Sequence, residues 1–260
     1  MHWPEHWAVD AHARTVTICT GQDFSKRSSL VAQTIAKAED EGTFRVLKGW
    51  RDELYPVYGP DGELLLNIER AASPLFGVVT YGVHMTAYVR AKEGIKLWVP
   101  RRAKNKQTYG GMLDNTVAGG LSTGEIPFEC LVREASEEAS LPEDLVRKGA
   151  RAAGTVSYFY VRDERAGGEI GLLQPECQYV YDLEVADDVL PKPCDDEVED
   201  FYLWTVEEVQ RALAKGEFKP NCALVLLDFF VRHGILTPTD EEDYIEIVSR
   251  LHRRLEFPTP

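Results

Sequence analysis

Along this chain, apolar positions fall into two rhythms. Leu30, Val31, Ile35 and Ala38 recur at helical spacing within residues 25–41, a stretch that closes at Gly42, so it predicts an amphipathic helix. Cys130, Leu131, Ala135 and Ala139 repeat the rhythm after Pro127, a residue suited to a first helical turn. Thr205-Val206-Glu207-Glu208 has the form of a capping box and predicts a helix to about Lys215. Asn221 is the expected cap of an apolar helix over 222–233, and residues 240–255 read as a last amphipathic helix. The extended rhythm occupies 54–58 and 63–68 around the turn Pro60-Asp61-Gly62, which together predict a hairpin. Further strands are expected over 78–89, over two short runs within 88–99 around Lys92-Glu93-Gly94, and over 155–161 and 178–185; residues 71–77 suit a loop or short helix. This mixture indicates an α+β protein with a smaller α+β unit over residues 1–87 and a second unit over 88–260.

With 260 residues and 44% hydrophobic content, the chain is long enough to build a normal core. A formal charge of −14 argues against a nucleic-acid or anionic-membrane binder, because attraction to phosphate backbones needs a basic surface. Any anionic ligand therefore requires a local basic pocket or a metal. The five cysteines are scattered without a CxxC pair, which favours free thiols in a reducing compartment, and the first ten residues lack a leader pattern. The longest apolar run, 223–227, is far short of a membrane span. A cytoplasmic location follows as the expectation.

Against this acidic background, Arg101, Arg102, Lys104 and Lys106 crowd into six positions. Such a cluster suits pyrophosphate capture, since Arg grips phosphate bidentately and Lys supplies a point charge; a solvated loop is the bland alternative. Asp114 and Asn115 can orient polar substrate groups or simply cap a turn. The aromatic residues of the first unit, among them Trp50 and Phe76, suit core packing, with stacking on a substrate ring as the sharper reading. None of the six histidines forms a metal-spaced pair, and His84 reads as a satisfied core residue.

The densest chemistry lies at 119–141, GGLSTGEIPFECLVREASEEASL. On a helix, Glu134, Glu137 and Glu138 stand at i, i+3 and i+4, three carboxylates within about one turn. Their repulsion, about a few tenths of a kcal/mol per pair in an isolated helix, is naturally offset by a divalent cation that takes oxygen ligands. Gly119 and Gly120 permit close approach of backbone or phosphate, and Arg133 can pair with Glu125 to steady the loop entering the helix.

This stretch resembles the Nudix box, Gly-x5-Glu-x7-Arg-Glu-Uaa-x-Glu-Glu-x-Gly-Uaa, where Uaa is a bulky aliphatic residue. Two positions depart: Ala135 is small, and Ser140 replaces a glycine suited to a left-handed cap. The resemblance implies a Nudix α/β/α sandwich with a mixed sheet, with Glu134 and Glu138 as main ligands of Mg2+ or Mn2+. It also implies Glu137 close behind and the carbonyl of Ala118 joining them. Nudix enzymes often draw a further carboxylate from a later loop, as ligand or general base; in the acidic run 194–200, Glu197 is the first candidate and Glu199 the second. Gly119, Gly120, Glu125 and Arg133 would be structural within the box.

The runs LWVPRRAKNKQTYGGMLDNTVAGG and FKPNCALVLLDFFVRHG, with WRDELYPVYG and ERAASPLFGVVTYGVHM before them, are similar to the Nudix group related to thiamine pyrophosphokinase, whose members carry an extra N-terminal domain. For that group the resemblance implies hydrolysis of diphosphates of thiamine and, preferentially, of its oxidised analogues to monophosphates; a monomer or homodimer, with the first unit recognising substrate, is the expectation. Arg101, Arg102, Lys104, Lys106 and Asn115 are the expected substrate contacts. Nudix pyrophosphatases acting on ADP-ribose or NADH, or a non-catalytic ligand-binding module, are the alternatives. An isopentenyl-diphosphate isomerase is disfavoured, because it would want a cysteine in the strand before the box, where this chain has Asn115-Thr116-Val117-Ala118.

Overall fold

The computed structural model of the protein describes residues 4–194 and 196–260; Asp195, part of the acidic run, lies outside them. The N-terminal unit opens with a hairpin of two short strands, β1 (Trp7–Asp10) and β2 (Thr15–Ile18). It continues into helix α1 (Phe24–Asp40), where the Asp23 carboxylate accepts the Lys26 N–H and caps the first turn. Strands β3 (Leu54–Tyr58) and β4 (Leu64–Glu69) form the predicted hairpin, with Gly62 at φ 75° in its turn. The four-residue helix α2 (Ser73–Phe76) stops at Gly77, φ 61°. Val31, Ile35 and Ala38 of α1 pack with Leu47, Tyr55, Ile68 and Ala72, a core separate from the rest.

The remaining chain forms β5 (Thr80–Ala91), β6 (Gly94–Arg102), β7 (Val117–Gly120), α3 (Pro127–Ala139), α4 (Glu143–Gly149), β8 (Arg151–Val161), β9 (Leu173–Glu184), β10 (Val198–Thr205), α5 (Val206–Ala214), α6 (Pro220–Arg232) and α7 (Tyr244–Leu251). The sheet order is β10-β6-β5-β9-β8, with β7 also on β5; β5 and β9 run parallel and the other pairs antiparallel, so the sheet is mixed. Residues 80–89 are buried without interruption. That pattern belongs to a strand covered on both faces. On one face Val83, Met85 and Ala87 meet Leu131, Ala135 and Ala139 of α3 and Val146 of α4. On the other, Tyr88, Leu97 and Val99 meet Val209 of α5 and Leu226, Phe229 and Phe230 of α6. Full burial of each large aliphatic contributes about 1.5–3 kcal/mol. The result is the α/β/α sandwich.

Several elements differ in extent from expectation. Residues 78–99 form two long strands rather than a strand followed by two short ones, and β6 runs on to Arg102, so Arg101 and Arg102 belong to a strand instead of a loop. The acidic run 194–200 becomes strand at Val198. Helix α6 begins at Pro220, with Lys219 in the capping position and Asn221 inside the first turn, because a residue without an N–H suits the position where that donor has no partner. The last helix is shorter than 240–255. Thr237 Oγ1 donates to Asp240 Oδ2 in a turn before it, and beyond it Arg253 N–H donates to Ser157 O, drawing the backbone onto β8.

Candidate active site

Helix α3 carries the carboxylates and β7 carries the glycines that receive them. The Glu138 side chain is buried and accepts the Ala118 N–H at 3.0 Å. Glu134 lies across Gly119; a side chain there would overlap its carboxylate. Gly120 makes the same allowance for the Tyr55 hydroxyl, so consecutive glycines admit one group from α3 and one from the N-terminal unit. Arg133 donates to Glu125 (3.0 Å) and Glu137 (2.9 Å) and lies 3.0 Å from Glu134, bracing the loop against the helix. Ser140 takes the left-handed conformation, φ 53° and ψ 28°, and its hydroxyl donates to Lys192 O at 3.0 Å. Serine thus fills the glycine position of the box without losing the helix exit.

Burial pushes the Glu134 carboxyl above its ordinary range, against the pull of Arg133. It pushes Glu138 well above, reinforced by the Glu134 charge. Glu197 goes the other way: burial, the largest single influence, would raise it, but the Lys106 ammonium 2.5 Å away, together with Arg51 and Arg102, holds it below the usual value. Glu134, Glu137, Glu138 and Glu197 line one cleft of about 520 Å³, together with Arg51, Arg70, Arg102, Lys106 and Lys219. Among the described residues no three His, Cys, Asp or Glu side chains already converge as a metal cage. Glu137, half exposed, turns to Arg133 instead. The donor set still fits Mg2+ or Mn2+: it is all oxygen, the buried Glu138 and the largely covered Glu134 resist ionisation in the absence of a cation, and Mg2+ characteristically takes one or two carboxylates, completing its shell with water and phosphate.

The basic cluster divides. Arg102 and Lys106 line the cleft, Arg102 being fixed by Asp114 at 2.5 Å and by Thr108 O at 3.2 Å. Arg101 donates to Gly111 O and lies over the Tyr202 ring, and Lys104 is exposed beside Glu199; neither lines the cleft. Asn115 is buried behind it, accepting from His84 Nδ1 at 2.7 Å and donating to Cys222 O at 3.3 Å.

A second cavity, about 610 Å³, shares Arg51, Arg70, Ala118, Gly119, Gly120 and Lys219 with the first and therefore adjoins it. Its walls come from the N-terminal unit (Val46, Tyr55, Pro74) and from the sheet (Tyr158, Tyr160, Glu176, Gln178), with Tyr109 between them. Trp50 and Phe76 are not among its lining residues; Trp50 donates to Asp52 and Phe76 packs near Trp7. Glu169 accepts the backbone N–H groups of Arg45 and Val46, tying the β8–β9 connection to the N-terminal unit. Sequence reasoning did not mark Arg51, Arg70, Lys219 or the tyrosines. The signal available was period-two spacing, Tyr158 with Tyr160 and Gln174 with Glu176 and Gln178, which sets each group on one face of a strand.

Comparison with known proteins agrees with this architecture. A family model described as "NUDIX domain" matches residues 80–223, more than half of the chain, and one described as "Domain of unknown function (DUF4743)" matches residues 1–80. The uncharacterized protein YJR142W of Saccharomyces cerevisiae is 43% identical over 92% of this chain and 71% of its own length. Nudix hydrolase 20, chloroplastic, of Arabidopsis thaliana is 38% identical over 88% of this chain, and Nudix hydrolase 24, chloroplastic, of the same plant is 36% identical over 87%. The chain spans 58% and 59% of those two plant proteins. With a sandwich of this topology, box carboxylates seated on β7 and a family model covering most of the sheet, the chain belongs to the NUDIX family.

Proposed function

We propose that the protein is a metal-dependent hydrolase that cuts a small-molecule diphosphate to a monophosphate and phosphate, with thiamine diphosphate or its oxidised analogues as substrate. The observation that carries the reading is the shared wall between two dissimilar spaces, a charged cleft holding Glu134 and Glu138 and a tyrosine-walled cavity of the size that holds small organic ligands. A Mg2+ or Mn2+ ion held by Glu134 and Glu138, with the Ala118 carbonyl alongside, would neutralise diphosphate charge and make water a better nucleophile. Arg102 and Lys106 enter from the sheet side, and Arg51 and Arg70 from the N-terminal unit, to grip phosphate oxygens. Glu137 and Glu197, the more exposed carboxylates of the cleft, are left to take the proton of the attacking water.

In this reading the N-terminal unit recognises substrate, since it contributes Arg51 and Arg70 to the shared wall and Tyr55 to the second cavity. The names of the plant relatives support hydrolysis as the reaction. The five free thiols suit a reducing compartment, the cytoplasm being our assignment. The test is release of phosphate from thiamine diphosphate and oxothiamine diphosphate with Mg2+, beside ADP-ribose and NADH. Turnover confined to the nucleotide derivatives would overturn the substrate assignment, and ligand binding without release from any of them would overturn the enzyme.

A further inference from the structure

The inner end of the second cavity holds a buried acid for which the hydrolytic chemistry has no use. Glu176, on β9, is 7% exposed and lines the cavity. The sheet register sets Tyr158 opposite Glu176 and Gly82 opposite Gln178. The Tyr158 hydroxyl and the amides of Gln174 and Gln178 all donate to the Glu176 carboxylate. Among the described residues it makes no ion pair, and Arg162 spends its Nη groups on Gln174 Oε1 and the carbonyls of Ala166 and Gly167. A buried carboxyl group with these three neutral donors retains lone pairs for a further donor.

Beside it, Gln178 Oε1 is buried and has no hydrogen-bond partner among the described residues. It occupies the space over Gly82 that any side chain there would fill. Gly82 in turn pairs with Gly120, which receives the Tyr55 hydroxyl, so two facing glycines seat Gln178 and Tyr55 between the carboxylate cleft and this acceptor-rich end. Tyr158 and Tyr160 supply aromatic surface next to it.

We infer that Glu176 and Gln178 form the recognition subsite for the organic half of the substrate, and that they select a planar nitrogen heterocycle presenting N–H donors. The inference rests on the proposed function for the direction in which the diphosphate points, though not for the subsite itself. Two side-chain acceptors side by side, a carboxyl and an amide oxygen, favour a ring edge with N–H groups over a hydrocarbon or a carbonyl edge. A site built to hydrogen-bond a donor rejects the analogue lacking it, because its own buried acceptors are then left unpaired.

The experiment measures equilibrium binding of thiamine, without diphosphate or metal, by quenching of intrinsic fluorescence. The comparison ligand is the benzyl thiazolium analogue, which keeps the thiazolium ring and hydroxyethyl arm but carries a plain benzene ring in place of the aminopyrimidine. The wild-type protein is expected to prefer thiamine by about tenfold or more. Glu176→Gln should erase that preference by weakening thiamine alone. Glu176→Asp, which keeps the carboxyl group but withdraws it, should lose part of the preference and serves if the amide variant does not fold. Equal wild-type binding of the two ligands, no binding of either, or a folded variant with the wild-type preference would each overturn the inference. Phosphate release from thiamine diphosphate is scored separately. Its absence alongside Glu176-dependent thiamine binding would sink the hydrolytic reading and leave this subsite standing.

Discussion

The two spaces that meet at Gly119 and Gly120 are built by opposite strategies. The carboxylate cleft takes most of its acids from a single helix and the loop entering it, so residues 119–138 supply Glu125, Glu134, Glu137 and Glu138 together. The tyrosine-walled cavity is gathered from a hairpin of the N-terminal unit, from four strands of the sheet and from the start of α6. One site is local in the chain and the other is tertiary. Chemistry that must be held in fixed geometry gains from sitting on one rigid element, whereas a pocket that defines a ligand's shape can be assembled from walls that diverge independently.

If that division of labour holds, substitutions should separate turnover from binding. The largest effect belongs to Glu138→Gln, expected to lower Mg2+-dependent phosphate release by about a thousandfold while thiamine binding is retained. Near-normal turnover in the folded variant would remove Glu138 from the machinery. Paired glycine substitutions sharpen the contrast. Gly119→Ala should displace Glu134 and cut kcat by about a hundredfold, while Gly82→Ala should crowd Gln178 and weaken thiamine affinity by about tenfold with a smaller effect on kcat. If both variants lost binding and turnover in equal proportion, the two spaces would be acting as one.

His84 lines the second cavity but is buried, and burial, aided by the Lys219 charge, pushes its imidazole down to about 4 from an ordinary 6.5. The unfolded chain therefore binds a proton through this range while the folded protein does not, so stability falls as pH drops from about 6.5 to about 4. The loss from this residue alone is roughly 3 kcal/mol, read as the difference between wild type and His84→Gln in urea unfolding at pH 7 and pH 4. Identical pH dependence in the two proteins would refute it. The smallest effect is at the helix exit. Ser140→Gly should gain about 0.5–1 kcal/mol by relieving a left-handed serine, offset in part by the lost bond to Lys192 O, with turnover unchanged. A destabilised glycine variant would show the hydroxyl to be worth more than the strain.

The same contrast explains what could be read before the fold was seen. Helical spacing in 127–139 placed Glu134, Glu137 and Glu138 on one turn, because neighbours on a helix are neighbours in sequence. The hairpin at 54–68 and the capped helix at Thr205 were legible for the same reason, since turn and cap chemistry is local. Arg70 and Lys219 could not be read: nothing near either in sequence says that tertiary packing brings both to Gly119. Arg101 and Arg102 illustrate period two. Adjacent on a strand, they face opposite ways, and only Arg102 reaches the cleft. The strands β1 and β2 escaped because they are short and mostly exposed, so no alternation of apolar residues marks them.

Tyr55 over Gly120, with Thr123 N–H donating to Leu54 O and Thr123 Oγ1 to Asn67, makes the hairpin of the first unit a fitted cover for the loop that feeds α3. A gap on one partner receives a hydroxyl from the other, as a keyhole receives its key. An exchange of first units between homologues would succeed only where both halves of that fit travel together, so in lineages that shuffle the two modules the tyrosine and the glycine should be inherited as a matched set.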